Sequence, residues 1–449
     1  MTEGLPAKKP RIFTLTPPQV LVLGFALAIL AGTLLLSLPL AVRDGKPDLL
    51  TAAFTATSAV CVTGLVVVDT ADHWTLFGQL VILLLIHTGG LGLMTMGTLF
   101  ALLLGRRIGL RRRQQIKESV NQNELTGIIW LVQRILLFTA TAEAIGAAIL
   151  TLHLAPEYGW TQGLWLGVFH SVSAFNNAGF DLFGGFRSLT GFGNDPVVSL
   201  TVAGLLILGG IGFSVAVDVY RKRSFRKLSL HSKIVIAVTI LLLTLATVAV
   251  LLLEHDHALR DLTPRHKLLA AFFQASTPRT AGFNTVPLDD FFVPTQFLMM
   301  ILMFIGASPG STGGGIKTTT FITVGLALLS LARGREDAEV FGRRIPRSQV
   351  YKALAILVLG LTVVLATTLF LTITENGKDF FTIFFETVSA FGTVGLSLGL
   401  TPDLSPAGRL AVMFTMFIGR VGPLTLAFSL AQREHKAKIR LPEQKILIG

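Results

Sequence analysis

The sequence predicts an all-α polytopic membrane protein made of four pseudo-symmetric repeats around a common axis. Three observations carry that prediction. The 449 residues are 51% hydrophobic and only 14% charged, with a mean hydropathy of +0.67, far outside the soluble globular range. Several charge-free windows reach the roughly 20 residues that a helix needs to cross a hydrocarbon core of about 30 Å. A short glycine-containing motif recurs four times.

The clearest windows are 18–42, 73–105, 234–253 and 353–374. Basic residues collect in alternate connectors: Arg106, Arg107, Arg111, Arg112, Arg113 and Lys117; then Arg221, Lys222, Arg223, Arg226, Lys227 and Lys233; then Arg333, Arg335, Arg343, Arg344, Arg347 and Lys352. Lys8, Lys9 and Arg11 precede the first window, and Lys436, Lys438 and Arg440 follow the last. Intervening loops are mixed or acidic, with Asp44, Asp48, Asp69 and Asp72. The positive-inside rule then places both termini and the three basic connectors in the cytoplasm and requires an even number of crossings. This distribution, rather than nucleic-acid binding, accounts for the net charge of +12. Cys61 is the single cysteine, so no internal disulfide forms. The first apolar segment is too long for a signal-peptide core and reads as a membrane helix.

The motif is SAVCVTGL at 58–65, SAFNNAGF at 173–180, STPRTAGF at 276–283 and SAFGTVGL at 389–396. Each opens on serine and carries glycine six positions later. The glycines, Gly64, Gly179, Gly282 and Gly395, lie 115, 103 and 113 residues apart. A long apolar segment and a short aromatic-rich one precede each motif, and another apolar segment follows. The expected unit is helix, half-length helix, glycine stretch, helix, giving eight crossings and four half-length helices. Its boundaries are an N-terminal segment 1–17, repeat 1 at 18–105, a basic connector 106–125, repeat 2 at 126–220, repeat 3 at 221–330, a connector 331–348, repeat 4 at 349–432 and a C-terminal segment 433–449.

Lipid offers backbone amides no hydrogen bonds, so irregular chain at membrane depth must be buried in protein or face a water-filled cavity. Four such stretches, one per repeat, meet around one axis in the layout of a cation filter. Carbonyl oxygens replace the ion's water shell, and glycine permits the backbone angles that point them inward. Each half-length helix turns its negative C-terminal end toward the centre. Thr393, Val394 and Gly395 spell the TVG of potassium-channel filters. One motif alone would read as a small-residue helix contact; four in phase, each preceded by a segment too short to span, read as a pore.

The apolar segment after the third motif runs from 294 to 330, about 55 Å if continuous, and must break. GASPGSTGGGIKTTTF at 306–321 sets the break, with Pro309 and with Gly306, Gly310, Gly313, Gly314 and Gly315. A flexible polar loop (306–317) beneath a filter reads as a gate. The rival phosphate-loop reading fails because Ile316 separates Gly315 from Lys317 and no strand precedes it. Arg420 lies inside the apolar run 410–430. It should turn inward to the loop's carbonyls and hydroxyls, the alternative being a side chain that snorkels to the interface. Arg134 reads as a surface or snorkelling residue. His87 reads as a helix-contact histidine, since no metal-site spacing accompanies it. Glu143 is open between a structural hydrogen bond and cation attraction. Arg279 and Glu386 brace filter segments by ion pairing or serve plain structural roles, and Asn176 and Asn177 support the second filter segment.

The four-fold plan, IHTGGLGLMTM at 86–96, GASPGSTGGGIKTTTF at 306–321 and IGRVGPLT at 418–425 resemble the Trk/Ktr/HKT potassium transporters, above all the Ktr branch, over essentially the whole chain. The resemblance implies a filter lined by Val62, Thr63 and Gly64, by Asn177, Ala178 and Gly179, by Thr280, Ala281 and Gly282, and by Thr393, Val394 and Gly395. The all-glycine ring implies potassium as the transported ion, because a serine at the first glycine accompanies sodium permeation in relatives. It also implies a gating loop that obstructs the pore, held closed by Arg420. The expected partners are a second copy of the chain in a homodimer, a cytosolic ring of nucleotide-binding RCK subunits, and membrane lipid. Sodium dependence stays open. No cofactor and no enzymatic activity are expected. The competing classes are a secondary transporter with one or two broken helices and a membrane enzyme, for which no nucleophile and base stand together.

Overall fold

A computed structural model describes residues 16–92, 128–335 and 337–430. The basic connector 106–125, the end of the glycine-rich run at 93–96 and the basic residues near both termini fall outside the described residues.

The described chain is almost entirely helical. Helix α1 (Pro17–Leu36), α2 (Leu49–Cys61) and α3 (Leu76–Leu91) come first. Helices α4 (Ile128–Tyr158), α5 (Trp160–Phe175), α6 (Pro196–Gly210) and α7 (Phe213–Lys222) follow, then α8 (Leu230–Glu254), α9 (Pro264–Ser276), α10 (Val293–Ile305) and α11 (Thr318–Ala332). The last group is α12 (Arg347–Thr374), α13 (Phe380–Gly392), α14 (Pro406–Val421) and α15 (Pro423–Leu430). A two-stranded antiparallel hairpin, β1 (Glu339–Val340) and β2 (Arg343–Arg344), joins α11 to α12.

Among the described residues four helices are long and apolar enough to cross a membrane by themselves: α1, α4, α8 and α12. The short helices α2, α9 and α13 have 13 residues each and α5 has 16. Thirteen residues extend only about 20 Å, too little to span. They begin where capping chemistry starts them. Asp48 accepts from Thr51 N at 2.9 Å, and Asp379 from Phe381 N at 3.0 Å.

Beyond the break expected in the third unit, two further helix pairs are sharply bent. Among the described residues α6 and α7 form a pair bent by 94°, and α14 and α15 a pair bent by 91°. The cause is local. Gly212 (φ 98°) and Gly422 (φ 92°) take left-handed backbone at the two bends, and Pro423 follows the second with no amide hydrogen to continue the ladder. The break expected between α10 and α11 is present over residues 306–317.

Polarity is arranged for an apolar solvent. Leu27, Leu252 and Leu369 are 63%, 74% and 65% exposed, while Ser58, Ser173, Glu254, Gln274 and Glu386 are fully buried. In lipid the outward leucines lose nothing, and the inward polar groups must find partners in the protein.

The helices close a circuit. The apolar helix after each motif packs on the short helix of the next unit: α3 on α5, α6 on α9, α10 on α13, and α14 back on α2. Opposite the gate-loop side, three units are clasped where the long helix meets the start of the last. Glu254 ends α8 and accepts from Phe292 N at 3.0 Å and from the Thr295 hydroxyl. Glu375 follows α12 and accepts from Ser405 N at 3.0 Å and its hydroxyl at 2.6 Å. In the second unit His153 meets Asp195 at 2.5 Å, and Asp195 caps α6 through Val197 N at 2.8 Å. The motif search missed these clasps because their residues differ from unit to unit.

Candidate functional site: a ring of four bends above a broken helix

At each motif the short helix ends and the chain takes left-handed backbone twice, at the fifth and seventh residues. The fifth residues are Val62 (φ 57°), Asn177 (59°), Thr280 (72°) and Thr393 (49°). The seventh are Gly64 (91°), Gly179 (70°), Gly282 (80°) and Gly395 (95°). Left-handed backbone is costly for a β-branched residue, about 1–3 kcal/mol. Three β-branched side chains hold it here at equivalent places. Such repeated strain persists only where the surrounding structure imposes it.

The motif's hydroxyl fixes each bend. Ser58 and Ser389 accept from Gly64 N and Gly395 N, both at 3.1 Å. In the second unit Ser173 instead donates to Phe180 O at 2.8 Å. In the third the brace is Thr277, which donates to Phe283 O at 2.5 Å, while Ser276 donates back into its own helix at Phe272 O. The sequence pattern singles out Ser276, but helical phase gives the task to its neighbour.

The four bends meet. A β-carbon on Gly64 would fall onto the Ala178 carbonyl oxygen and 3.1 Å from Gly179 Cα. One on Gly179 would lie 2.9 Å from Ala281 O and 3.0 Å from Gly282 Cα. One on Gly282 would fall onto Val394 O, 3.3 Å from Gly395 Cα, and one on Gly395 onto Thr63 O, 3.0 Å from Gly64 Cα. The contacts run from unit one through four and back to one. The carbonyls of Thr63, Ala178, Ala281 and Val394 therefore sit at the four seams, and no side chain fits there. The Asn177 carboxamide lies 3.3 Å from the Thr280 hydroxyl of the next unit. The Thr63 and Thr393 hydroxyls are buried without a hydrogen-bond partner.

The broken helix lies against one side of this ring. A β-carbon on Gly313 would fall onto the Thr280 hydroxyl, and one on Gly314 onto that of Thr393. A β-carbon on Gly306 would lie 2.7 Å from Gly314 O and 3.2 Å from Gly315 Cα. The loop is tied to the second unit: Ser308 N donates to Gly210 O at 3.1 Å, Thr312 N to Gly209 O at 3.2 Å, and Phe213 N to Gly310 O at 2.8 Å. Pro309 O faces Gly212, where a β-carbon would lie 2.7 Å away. Lys317 folds back on its own loop, its Nζ donating to Gly313 O at 2.5 Å and Gly314 O at 3.1 Å.

Arg420 stands near the C-terminal end of α14 rather than at the centre of a continuous helix. Its guanidinium donates to Thr312 O of the loop, to Gly89 O, and to Gly90 O at 3.3 Å. It points into the protein and not to the interface. The loop, the first unit and the fourth unit are joined through this one side chain.

The supporting residues are placed as follows. Asn176 donates to Glu143 Oε1 at 2.8 Å, and His87 Nδ1 lies 3.4 Å from the same oxygen. Glu143 thus braces the back of the second bend, and His87 makes a helix contact. Ion pairing by Arg279 and Glu386 is not found among the described residues. Arg279 donates to the Thr239 hydroxyl at 3.2 Å, and Glu386 accepts from Ser397 at 2.7 Å and from Thr401. Arg134 is exposed, over the Trp130 ring at 5.3 Å. On the other side of the ring, Gly64, Gly179, Gly282 and Gly395 line a cavity of about 480 Å³.

Residues 24–439 match the TrkH family, described as "Cation transport protein". The chain is 45% identical over 437 residues to the Ktr system potassium uptake protein B of Bacillus subtilis, covering 97% of each chain. It is 39% identical over 444 residues to the potassium/sodium uptake protein NtpJ of Enterococcus hirae, covering 97% of this chain and 98% of that one. The crystal structure of the potassium transporter TrkH from Vibrio parahaemolyticus superposes with a TM-score of 0.74 at 20% identity, covering 94% of this chain and 86% of that one, a likeness of fold. The match spans the four bends, the broken helix and Arg420 alike, and the chain belongs to the TrkH family of cation transport proteins.

Proposed function

We propose that this protein takes up potassium across the cell membrane, passing the ion through a filter of backbone carbonyls contributed by Thr63, Ala178, Ala281 and Val394 and their neighbours. The closed circuit of four left-handed bends is the observation that carries this reading. Carbonyl oxygens at a protein seam offer a dehydrated monovalent cation the ligands it loses in leaving water. The unpartnered Thr393 hydroxyl, packed against Gly314, adds a neutral oxygen at the gate-loop side. The short helices turn their negative ends toward the ring and favour a cation there. Relatives carrying potassium uptake in their names support the choice of ion. They are transporters, and this chain is not an enzyme.

Each unit contributes two crossings and one half-length helix, with the bent pairs counted as single crossings in the second and fourth units. Both termini and the basic connectors face the cytoplasm. The loop 306–317 is the gate, since Gly313 and Gly314 pack directly on filter residues. A homodimer with a cytosolic nucleotide-binding ring accords with the Ktr-system names of the relatives and with the basic connectors that hold Arg221 and Arg223, and Arg343 and Arg344. Purified protein in liposomes should take up rubidium down its gradient, and potassium should compete better than sodium. Vesicles no more permeable than protein-free controls would overturn the proposal.

A further inference from the structure

The residue that follows each motif, two positions beyond its glycine, is in turn Val66, Asp181, Asn284 and Ser397. All four line the cavity on the side of the ring away from the loop, together with the four glycines. Only one of them, Asp181, is ionisable.

Asp181 is held in place with no cationic side chain paired to it, and burial pushes its carboxyl up to about 7. Its Oδ1 accepts from Phe183 N at 3.1 Å, which fixes the turn leaving the bend. The Phe183 ring stacks on His170 at 4.4 Å. His170 is hydrogen-bonded at both nitrogens, Nδ1 with Leu166 O at 2.8 Å and Nε2 accepting from Leu182 N at 3.2 Å. That pairing is the neutral imidazole, with its proton on Nδ1. Arg187, which lines the same cavity, donates to Gly184 O at 3.2 Å and Phe183 O at 2.7 Å. No ion pair to Asp181 exists among the described residues.

The other carboxylates nearby differ. Asp69 Oδ1 caps the turn Thr70–His73 through Ala71 N and Asp72 N, and its Oδ2 accepts from Phe186 N at 2.7 Å. Asp72 accepts from Gly185 N at 3.2 Å. Both carboxylates fasten the segment 184–186 across the cavity rim. Asp289 lines the cavity but is exposed and belongs to no bend.

We propose that Asp181 is the outer docking residue for the transported cation, receiving a partly hydrated ion between its carboxylate, Asn284 and Ser397 before the ion enters the carbonyl ring. This rests on the filter reading. A carboxylate at the mouth of a low-dielectric passage concentrates cations there. A single carboxylate among neutral oxygens suits conduction, because a site must attract the ion and still release it inward. A four-fold acidic ring would retain it. The charge difference also gives the pseudo-symmetric mouth one preferred side of entry.

The test is rubidium uptake against concentration, in liposomes of the full-length protein, comparing D181N, D181S and D181E with the parent. Asparagine retains the acceptor for Phe183 N and preserves the turn. Both neutral variants should raise the half-saturating rubidium concentration about tenfold with a near-parental maximal rate, in line with electrostatic focusing. D181E should recover most of the loss. An impermeant organic cation at high ionic strength should shrink the difference by screening. Unchanged half-saturation, or a lower maximal rate at unchanged half-saturation, would overturn the docking role and leave the filter reading standing. Absent rubidium flux in the parent would overturn both.

Discussion

Gly395→Ser should raise sodium permeability relative to potassium by about tenfold or more, a change of about 1.4 kcal/mol in discrimination. Two physical effects act at this residue. Its φ of 95° is backbone that non-glycine residues adopt only under strain of about 1–3 kcal/mol. Its added β-carbon would also fall onto the Thr63 carbonyl oxygen, 3.0 Å from Gly64 Cα. The fourth bend must then withdraw or the first carbonyl must turn aside, and either leaves the ring with one displaced oxygen. A smaller or less regular cage favours the smaller, more strongly hydrated ion relative to the designed one. Gly45 separates strain from packing: its φ is 65°, yet nothing lies within 4 Å of its β-carbon position. Gly45→Ala should leave discrimination unchanged. Competition of sodium and potassium against rubidium uptake gives the comparison. Parental discrimination in Gly395→Ser would remove Gly395 from the selective ring.

Much of this site was legible in sequence because its cause is local. Left-handed backbone at a seam demands glycine, so Gly64, Gly179, Gly282 and Gly395 recur at a fixed offset from their serines. The break at 306–317 was equally plain, since a 37-residue apolar run holding a proline and five glycines cannot be one membrane helix. The bends after α6 and α14 were hidden. Gly212 and Gly422 look like the ordinary small residues of membrane helices, and only their neighbours reveal them: Pro309 O beside Gly212, and Pro423 after Gly422. Ion pairing by Arg279 and Glu386 was a natural expectation for buried charges, yet hydroxyls from Thr239, Ser397 and Thr401 serve instead. Hydroxyls are common in every membrane segment and leave no pattern to read. The exchange of Ser276 for Thr277 has the same origin, because one residue of helical phase is beyond what a motif resolves.

Arg420→Ala should increase rubidium uptake about tenfold or more in the absence of any regulatory partner. The guanidinium carries the hydrogen bonds that join Thr312 of the loop to Gly89 and Gly90 of α3. Hydrogen bonds from a charged group are each worth about 1.5–3 kcal/mol. Removing them costs the closed arrangement more than the open one, provided the open loop has left Thr312 beyond reach. One such bond outweighs a tenfold shift in the gate's equilibrium. The loop would retain the contacts of Ser308 and Gly310 with Gly210 and Phe213 of the second unit, so it should swing about that attachment, releasing Thr312 from Gly209, rather than unfold. Arg420→Lys discriminates further. A single ammonium cannot span Thr312 and Gly89 as the guanidinium fork does, and its uptake should lie between parent and alanine. Selectivity should be parental in both variants, since neither change touches the four bends. Flux at the parental level in Arg420→Ala would show that the loop is held by its backbone bonds to α6 and α7 alone, and the gate would then have to be sought in the Lys317 contacts with Gly313 and Gly314.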